Sequence, residues 1–229
     1  MRLSTETLPA RVDENRSFLD RRAAQGDDTG GFVTDRQFAA QLRELLTTLS
    51  HGQALQRTPQ RIVVTGVHTE KEASFLATSL AMTCAGSGYR VLLVDANFER
   101  PMVHRNLQLS NKLGVSSLLS SSDPPHTLPQ ATAFPNLAAI TIGPPCPNLS
   151  SLLTREQLFH RLQPLAPSFD YMIVDCGALS PSLVARISGG ADNVLIAVKE
   201  HVSSMKELSS IVETLRGEGV REPSVLMIE

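Results

Sequence analysis

Asp95 and Asp175 each close a run of apolar residues, Val91-Leu-Leu-Val-Asp95 and Tyr171-Met-Ile-Val-Asp175. An earlier run, Ile62-Val-Val-Thr65, leads into Gly66. A carboxylate at the end of a buried strand can hold a magnesium ion, or a water on it, beside phosphate groups. The plainer use of such an aspartate is to cap the turn or helix that follows. Two of them on separate runs, behind a first run ending in Thr65-Gly66, point to one shared site at the ends of neighbouring strands. Asn97, two residues beyond Asp95, can bond a water there but adds no charge.

Positioning these groups takes a sheet. The expected strands are 61–65, 90–95, 137–142, 170–175, 193–198 and 223–228, all short and nearly continuous in apolar character. Helices are expected from the first strand to about Gly86, and over 154–165, 180–190 and 203–217. This alternation predicts an α/β fold, a doubly wound, mostly parallel sheet of six or more strands with helices on both faces. Ligands of such sheets sit outside the carboxyl ends of the strands, where Asp95 and Asp175 fall. Before the first strand, Phe38, Leu42, Leu45, Leu46 and Leu49 recur at spacings of three and four. They predict an amphipathic helix over 35–50, capped by Thr34 or Asp35. Residues 1–33 are rich in charge, Thr and Gly and are expected to be a mobile arm. Residues 34–229 are expected to form one domain, with 51–60 a polar connector and the Ser/Pro-rich 120–136 a surface loop.

Composition removes several alternatives. A net charge of −2 gives no basis for nucleic-acid binding, and with aromatic residues at 4% and no Trp a base-stacking surface is not expected. The three cysteines, Cys84, Cys146 and Cys176, are too irregularly spaced for a disulfide framework or a zinc site and suit a reducing cytoplasm. No apolar run is long enough to span a bilayer, and the charged N-terminus does not read as a signal peptide. Cys176, beside Asp175, reads as a small buried strand-end residue rather than a reactive thiol.

The order of motifs from Arg61 to Glu229 resembles the cytoplasmic domain of bacterial tyrosine kinases of capsule and exopolysaccharide assembly, which are deviant-Walker phosphate-loop (P-loop) ATPases. Val91-Leu-Leu-Val-Asp-Ala-Asn-Phe-Glu-Arg-Pro101, followed by His104-Arg105, is similar to that family's second motif, Asp-x-Asp-x-x-Arg-Pro after the second strand. Gly114-Val-Ser-Ser-Leu-Leu119 resembles its Gly-Leu-x-x-x-Leu helix, and Ile142 to Leu153 its Gly-x-x-x-x-Asn-Pro-x-x-Leu-Leu stretch. Phe169 to Asp175 resembles the strand ending in the Walker B carboxylate. The resemblance implies a P-loop NTPase-like fold and a nucleotide pocket built on Gly66, Ser74, Asp95, Asn97 and Asp175.

The departures from that pattern carry the functional expectation. In the family a Gly-x-Gly-Lys-Ser/Thr loop cradles the phosphates with backbone N–H groups, while its lysine reaches the β/γ-phosphates. Aligned without gaps, the two glycines fall on Glu70 and Glu72, the lysine on Ala73 and the hydroxyl on Ser74. A carboxylate about 4 Å from a phosphate at an effective dielectric near 20 is repelled by roughly 4 kcal/mol. That corresponds to about a thousandfold in affinity. In a shifted register Lys71 would serve as the lysine, but Glu72 would then take the hydroxyl position and no second glycine exists. Asn97 replaces the second aspartate. The oligomerisation helix pattern Glu-x-x-Arg-x-x-Arg is reduced to Gln37, Ala40 and Arg43, and no tyrosine-rich tail follows the last strand.

The resemblance so modified implies a non-catalytic scaffold or regulator of exopolysaccharide or capsule biosynthesis and export. No cofactor is expected, or ATP with magnesium only weakly. The implied partners are the cytoplasmic tail of a membrane polysaccharide chain-length regulator, a related active kinase, or further copies of the chain. The implied location is cytoplasmic, peripheral at the inner face of the membrane. Phe38, Leu42, Arg43, Arg100 and Arg105 are the candidate interface residues. Alternatives are an unorthodox ATP-binding tyrosine kinase or ATPase using Asp95, Asp175 and Ser74, and a Min/Par-type assembly factor.

Overall fold

The computed structural model describes residues 36–51, 59–67, 70–120, 124–155, 158–199, 205–220 and 222–228. The arm expected over 1–33 lies outside these residues. The described residues form one seven-stranded sheet in the order β3-β4-β2-β5-β1-β6-β7. Its parallel strands are β1 (Gln60–Gly66), β2 (Val91–Asp95), β4 (Leu137–Ile140), β5 (Tyr171–Asp175), β6 (Asn193–Lys199) and β7 (Ser224–Ile228). Five apolar runs fill the interior because each is buried on both faces, as a parallel sheet under two helix layers requires.

One face carries α1 (Arg36–His51), α2 (Glu70–Gly86) and the single turn α3 (Val103–Asn106), over Ile62, Val64, Leu93, Ile173 and Leu195. The other carries α4 (Val115–Ser120), α5 (Leu149–Arg155), α6 (Leu158–Leu162), α7 (Pro181–Ile187) and α8 (Met205–Gly217). The alternation of inward side chains along each strand divides the core into these two halves.

The central helix α2 has almost no exposed face beyond its first turn: Ala73, Leu76, Ala77, Leu80, Ala81, Cys84 and Ala85 are buried, and so are Ser74, Thr78, Ser79 and Thr83. A helix buried all round must be covered on every side. The sheet covers one side of α2 and α1 covers another, with Leu42 and Leu46 buried and the Phe38 and Phe75 rings stacked at 5.6 Å. This corrects the expectation that Leu42 offers an interface, because its side chain is spent inside the chain. Phe38 is half-buried, whereas Arg43 is exposed. Replacing Phe38 with Ala is expected to cost about 1–2 kcal/mol, the value of a partly buried aromatic pair, read as a lower denaturant midpoint.

Two local expectations need correction. The segment expected to be a loop over 120–136 contains a short antiparallel edge strand, β3 (Gln130–Ala131), paired with Ala138 and Ala139. Buried Leu128 and Phe134 pin it, and Thr132 Oγ1 bonds both the Phe134 and Leu137 carbonyl groups. The single helix expected over 154–165 is instead α5, then α6, then a 3-10 turn over Gln163–Ser168. Pro164 and Pro167 have no N–H to donate, which breaks the α-helical ladder there.

Candidate functional site

The carboxyl ends of β1, β2 and β5 meet in one place, and β5 lies between the other two. Asp95 and Asp175 are register partners on adjacent strands, and both are fully buried. Two carboxylates this close, out of water, oppose each other's ionisation. Burial and then the Asp175 charge push the Asp95 pKa well above the usual carboxylate range. Burial likewise pushes Asp175 up to about 6. The thiol of Cys176 is raised further by burial and by both carboxylates, so it stays protonated and inert.

The two aspartates are used differently. Asp95 Oδ1 accepts from the Asn97 N–H at 3.1 Å, and Oδ2 from the Val103 N–H at 3.3 Å. Val103 is the first residue of α3, so Asp95 caps that turn, the plainer of the uses its position allowed. Asp175 Oδ1 accepts from the Gly177 N–H at 2.9 Å, while Oδ2 is buried with no hydrogen-bond partner among the described residues. Ser74, in the second turn of α2, lies beside Asp175 and draws its pKa down against the effect of burial. The two groups nonetheless fall short of hydrogen-bond geometry, and Ser74 Oγ is a second buried atom without a partner among the described residues.

Asn97 is turned away from any ligand. Its Oδ1 accepts from the Arg100 N–H at 3.1 Å and its Nδ2 donates to the Arg100 carbonyl at 3.0 Å. The side chain therefore closes the 97–100 turn, and it needs a donor and an acceptor at once. Gly177, at φ +55, packs flat against the Asn97 amide, which a Cβ would strike. The turn carries Glu99, Arg100 and, just beyond it, Arg105, on the surface side of the site.

The corner between β1 and α2 is where phosphate would be cradled. Gly66 ends β1, and residues 68 and 69 lie outside the described residues. The helix begins at Glu70, so the positions aligned with both loop glycines are already in its first turn. Ala73, aligned with the lysine, is fully buried in the core half that includes Leu42 and Leu76. Lys71 is exposed. Glu72 Oε1 instead accepts from the Nζ of Lys199, the last residue of β6, at 3.0 Å. Sequence reasoning missed Lys199, although a charge closing the apolar run Asn193 to Val198 was the available signal.

A hydroxyl and a carboxylate oxygen, both buried and unpartnered among the described residues, suit a hard divalent cation such as magnesium. The phosphate half of the site fits less well, since the aligned positions bring carboxylate and no cation. No group of three or more His, Cys, Asp or Glu side chains in metal-binding array occurs among the described residues.

No family model matches the chain. The tyrosine-protein kinase ptk of Acinetobacter johnsonii is 28% identical over 163 residues, 70% of this chain and 22% of that protein. The putative tyrosine-protein kinase CapB of Staphylococcus aureus is 24% identical over 160 residues, covering 68% of this chain and 70% of that one. The chain is thus similar to bacterial tyrosine-protein kinases over about two thirds or more of its length. Its fold is that of the kinase domain of the Escherichia coli tyrosine kinase ETK, with a TM-score of 0.76 at 24% identity over 99% of this chain and 82% of the other. The chain spans about a fifth of the length of the Acinetobacter relative. No helix among the described residues is long and apolar enough to cross a membrane.

Proposed function

We propose that this chain is a degenerate member of the bacterial tyrosine-kinase family, a non-catalytic, P-loop-like subunit acting as a scaffold or regulator of exopolysaccharide or capsule biosynthesis and export. The observation that carries this reading is the corner between β1 and α2. The position aligned with the phosphate-binding lysine is Ala73, sealed in the core, and the first turn of the helix presents Glu72 already paired with Lys199. Phosphoryl transfer is mostly positioning and electrostatic stabilisation, so the loss of the lysine and of the anion cradle removes most of the catalytic apparatus. Function then passes to surfaces. Arg43 on α1 is exposed, and the Arg100–Arg105 turn is built from the same Asp95 and Asn97 that the family motif places at the pocket. The partners this reading names are the cytoplasmic tail of a membrane chain-length regulator, an active relative, or a second copy of the chain, with the protein peripheral at the inner face of the membrane.

One observation favours the alternative, an unorthodox ATP-binding kinase or ATPase. Ser74 Oγ and Asp175 Oδ2 are left unpartnered among the described residues at the place where a magnesium ion would be held, and that ion would neutralise phosphate charge. Calorimetry separates the two readings. ATP with magnesium is expected to bind no more tightly than the high micromolar range. In pull-downs from cells making the polymer, Arg43→Glu and Arg100→Glu are expected to lose the membrane partner while Asp175→Asn keeps it. A low-micromolar dissociation constant, or polymer output lost in Asp175→Asn and retained in both arginine variants, selects the alternative.

A further inference from the structure

Residues 97–114 form a strap that passes from one core half to the other around the carboxyl end of β4. Val103 and Leu107 are buried in the half that holds α2, and Val115 and Leu118, just past the strap, belong to the other. Little of the strap is regular structure, yet side chains hold its backbone at close intervals. Asn97 bonds both the N–H and the carbonyl of Arg100. Gln130 Nε2 donates to the Ser110 carbonyl at 2.8 Å, and its Oε1 accepts from the Ser110 N–H at 3.0 Å. Asn111 Nδ2 donates to the Gly143 carbonyl at 2.9 Å, and its Oδ1 accepts from the Gly143 N–H at 2.8 Å. Thr141 Oγ1 lies 3.0 Å from the Leu113 carbonyl, and a Cβ on Gly114 would strike the Thr141 carbonyl. Three amide side chains, each donor and acceptor at once, thus fix a loop that no regular ladder holds.

This rigid strap presents a basic and partly apolar surface. Glu99, Arg100, Arg105 and Lys112 are exposed, three cations against one carboxylate, in a chain of net charge −2. The stretch bonded to the strap, residues 130–148, contains no charged residue. Neither Arg105 nor Lys112 forms an ion pair among the described residues. Beside Lys112, the Leu113 side chain is 50% exposed. We propose that the strap is a preformed dock for an extended acidic peptide segment of a partner protein. Carboxylates of that segment meet Arg105 and Lys112, and an apolar side chain between them covers Leu113. Complementary charge selects and orients the segment, and a backbone already held in place loses little conformational freedom when it binds. The inference rests on the reading that this chain works through its surfaces, and it adds the chemistry of the partner.

The test follows the fluorescence anisotropy of labelled peptides added to the full chain: repeating Glu-Leu, repeating Glu and repeating Lys-Leu. The first is expected to bind, the second more weakly and the third not at all. Arg105→Gln/Lys112→Gln is expected to weaken the Glu-Leu peptide at least about tenfold, and Leu113→Ser about fivefold. Asn111→Ala, which leaves every cation in place and loosens the strap, is expected to weaken it as well. Lys206→Gln/Arg216→Gln, which removes two exposed cations from α8, is expected to bind as wild type does. Thermal melting confirms that each variant is folded. The inference is overturned if the Glu-Leu peptide does not bind the wild-type chain, if the α8 control loses as much, or if folded strap variants bind as wild type does. Phosphatidylserine vesicles bound in place of the peptide, with the same dependence on the strap cations, would overturn it in favour of a lipid surface. If the strap variants keep the peptide while Arg100→Glu still loses the membrane partner in pull-downs, the dock is wrong and the scaffold reading stands.

Discussion

Asn97→Asp, the substitution that brings back the carboxylate of the family's second motif, is expected to destabilise this chain by about 3–5 kcal/mol at neutral pH. The Asn97 amide, itself fully buried, donates to the Arg100 carbonyl, so an ionised carboxylate in its place would set oxygen against oxygen. It would also be a third carboxylate beside Asp95 and Asp175, both of which already ionise reluctantly. Once protonated, the new carboxyl group can restore the pattern, its O–H donating to the Arg100 carbonyl and its other oxygen accepting from the Arg100 N–H. The folded-state pKa of that group would therefore be raised above its unfolded value. The penalty is absent below the unfolded value and develops as pH rises through the folded one. Denaturant melts at acid and neutral pH check this: equal loss at both, or no loss at either, would show that the turn does not depend on the amide. The cost is a large share of the roughly 5–15 kcal/mol that keeps a typical domain folded.

Asp175→Asn is expected to work in the opposite direction. Burial raises the Asp175 pKa in the folded state from the ordinary value of 3.8 to about 6. A raised carboxylate pKa means that the folded chain binds the proton more tightly than the unfolded one. Wild-type stability is therefore highest, as far as this group is concerned, below about pH 4, and it falls as pH rises towards about 6. Above that range the ionised carboxylate costs roughly 2–3 kcal/mol, the free-energy equivalent of the shift. An Asn keeps the oxygen that accepts from the Gly177 N–H. It also puts a donor where Oδ2 has no partner among the described residues. The variant is expected to melt roughly 5–10 °C higher at pH 8 and to show a flatter pH dependence between acid and neutral pH. A melting temperature at pH 8 equal to or below wild type would mean that the pair is already relieved, by a bound cation or by a shared proton. Adding and chelating magnesium distinguishes those two.

The two expectations share a physical cause. A buried pair of carboxylates lowers stability unless something with positive charge stands beside it, and costs of this kind gather at functional sites. Here Asp95 recovers part of its cost by capping α3, whereas Asp175 keeps an oxygen unpartnered among the described residues and recovers less. The strand-end aspartates thus divide into one that caps a turn and one that keeps a buried oxygen unpartnered among the described residues.

Much of the fold was legible in the sequence because its signals are local. Six short apolar runs separated by helical stretches announce a parallel sheet covered on both faces, and an aspartate closing a run lies at the strand's carboxyl end whatever the rest of the chain does. The replacement of loop glycines and lysine by Glu70, Glu72 and Ala73 is likewise plain in the residues themselves. Only the tertiary structure decided what those residues do, since hydrogen-bond and charge partners come from segments far apart in sequence. Apolar spacing places Leu42 on a stripe but does not say that α2 lies beneath it. The motif shows Asn97 as a weakened aspartate, whereas its two bonds to Arg100 make it a required amide. Lys199 lies just past the expected strand 193–198, and its meeting with Glu72 follows from β6 lying beside β1, a neighbour relation that the residues of either strand alone do not carry.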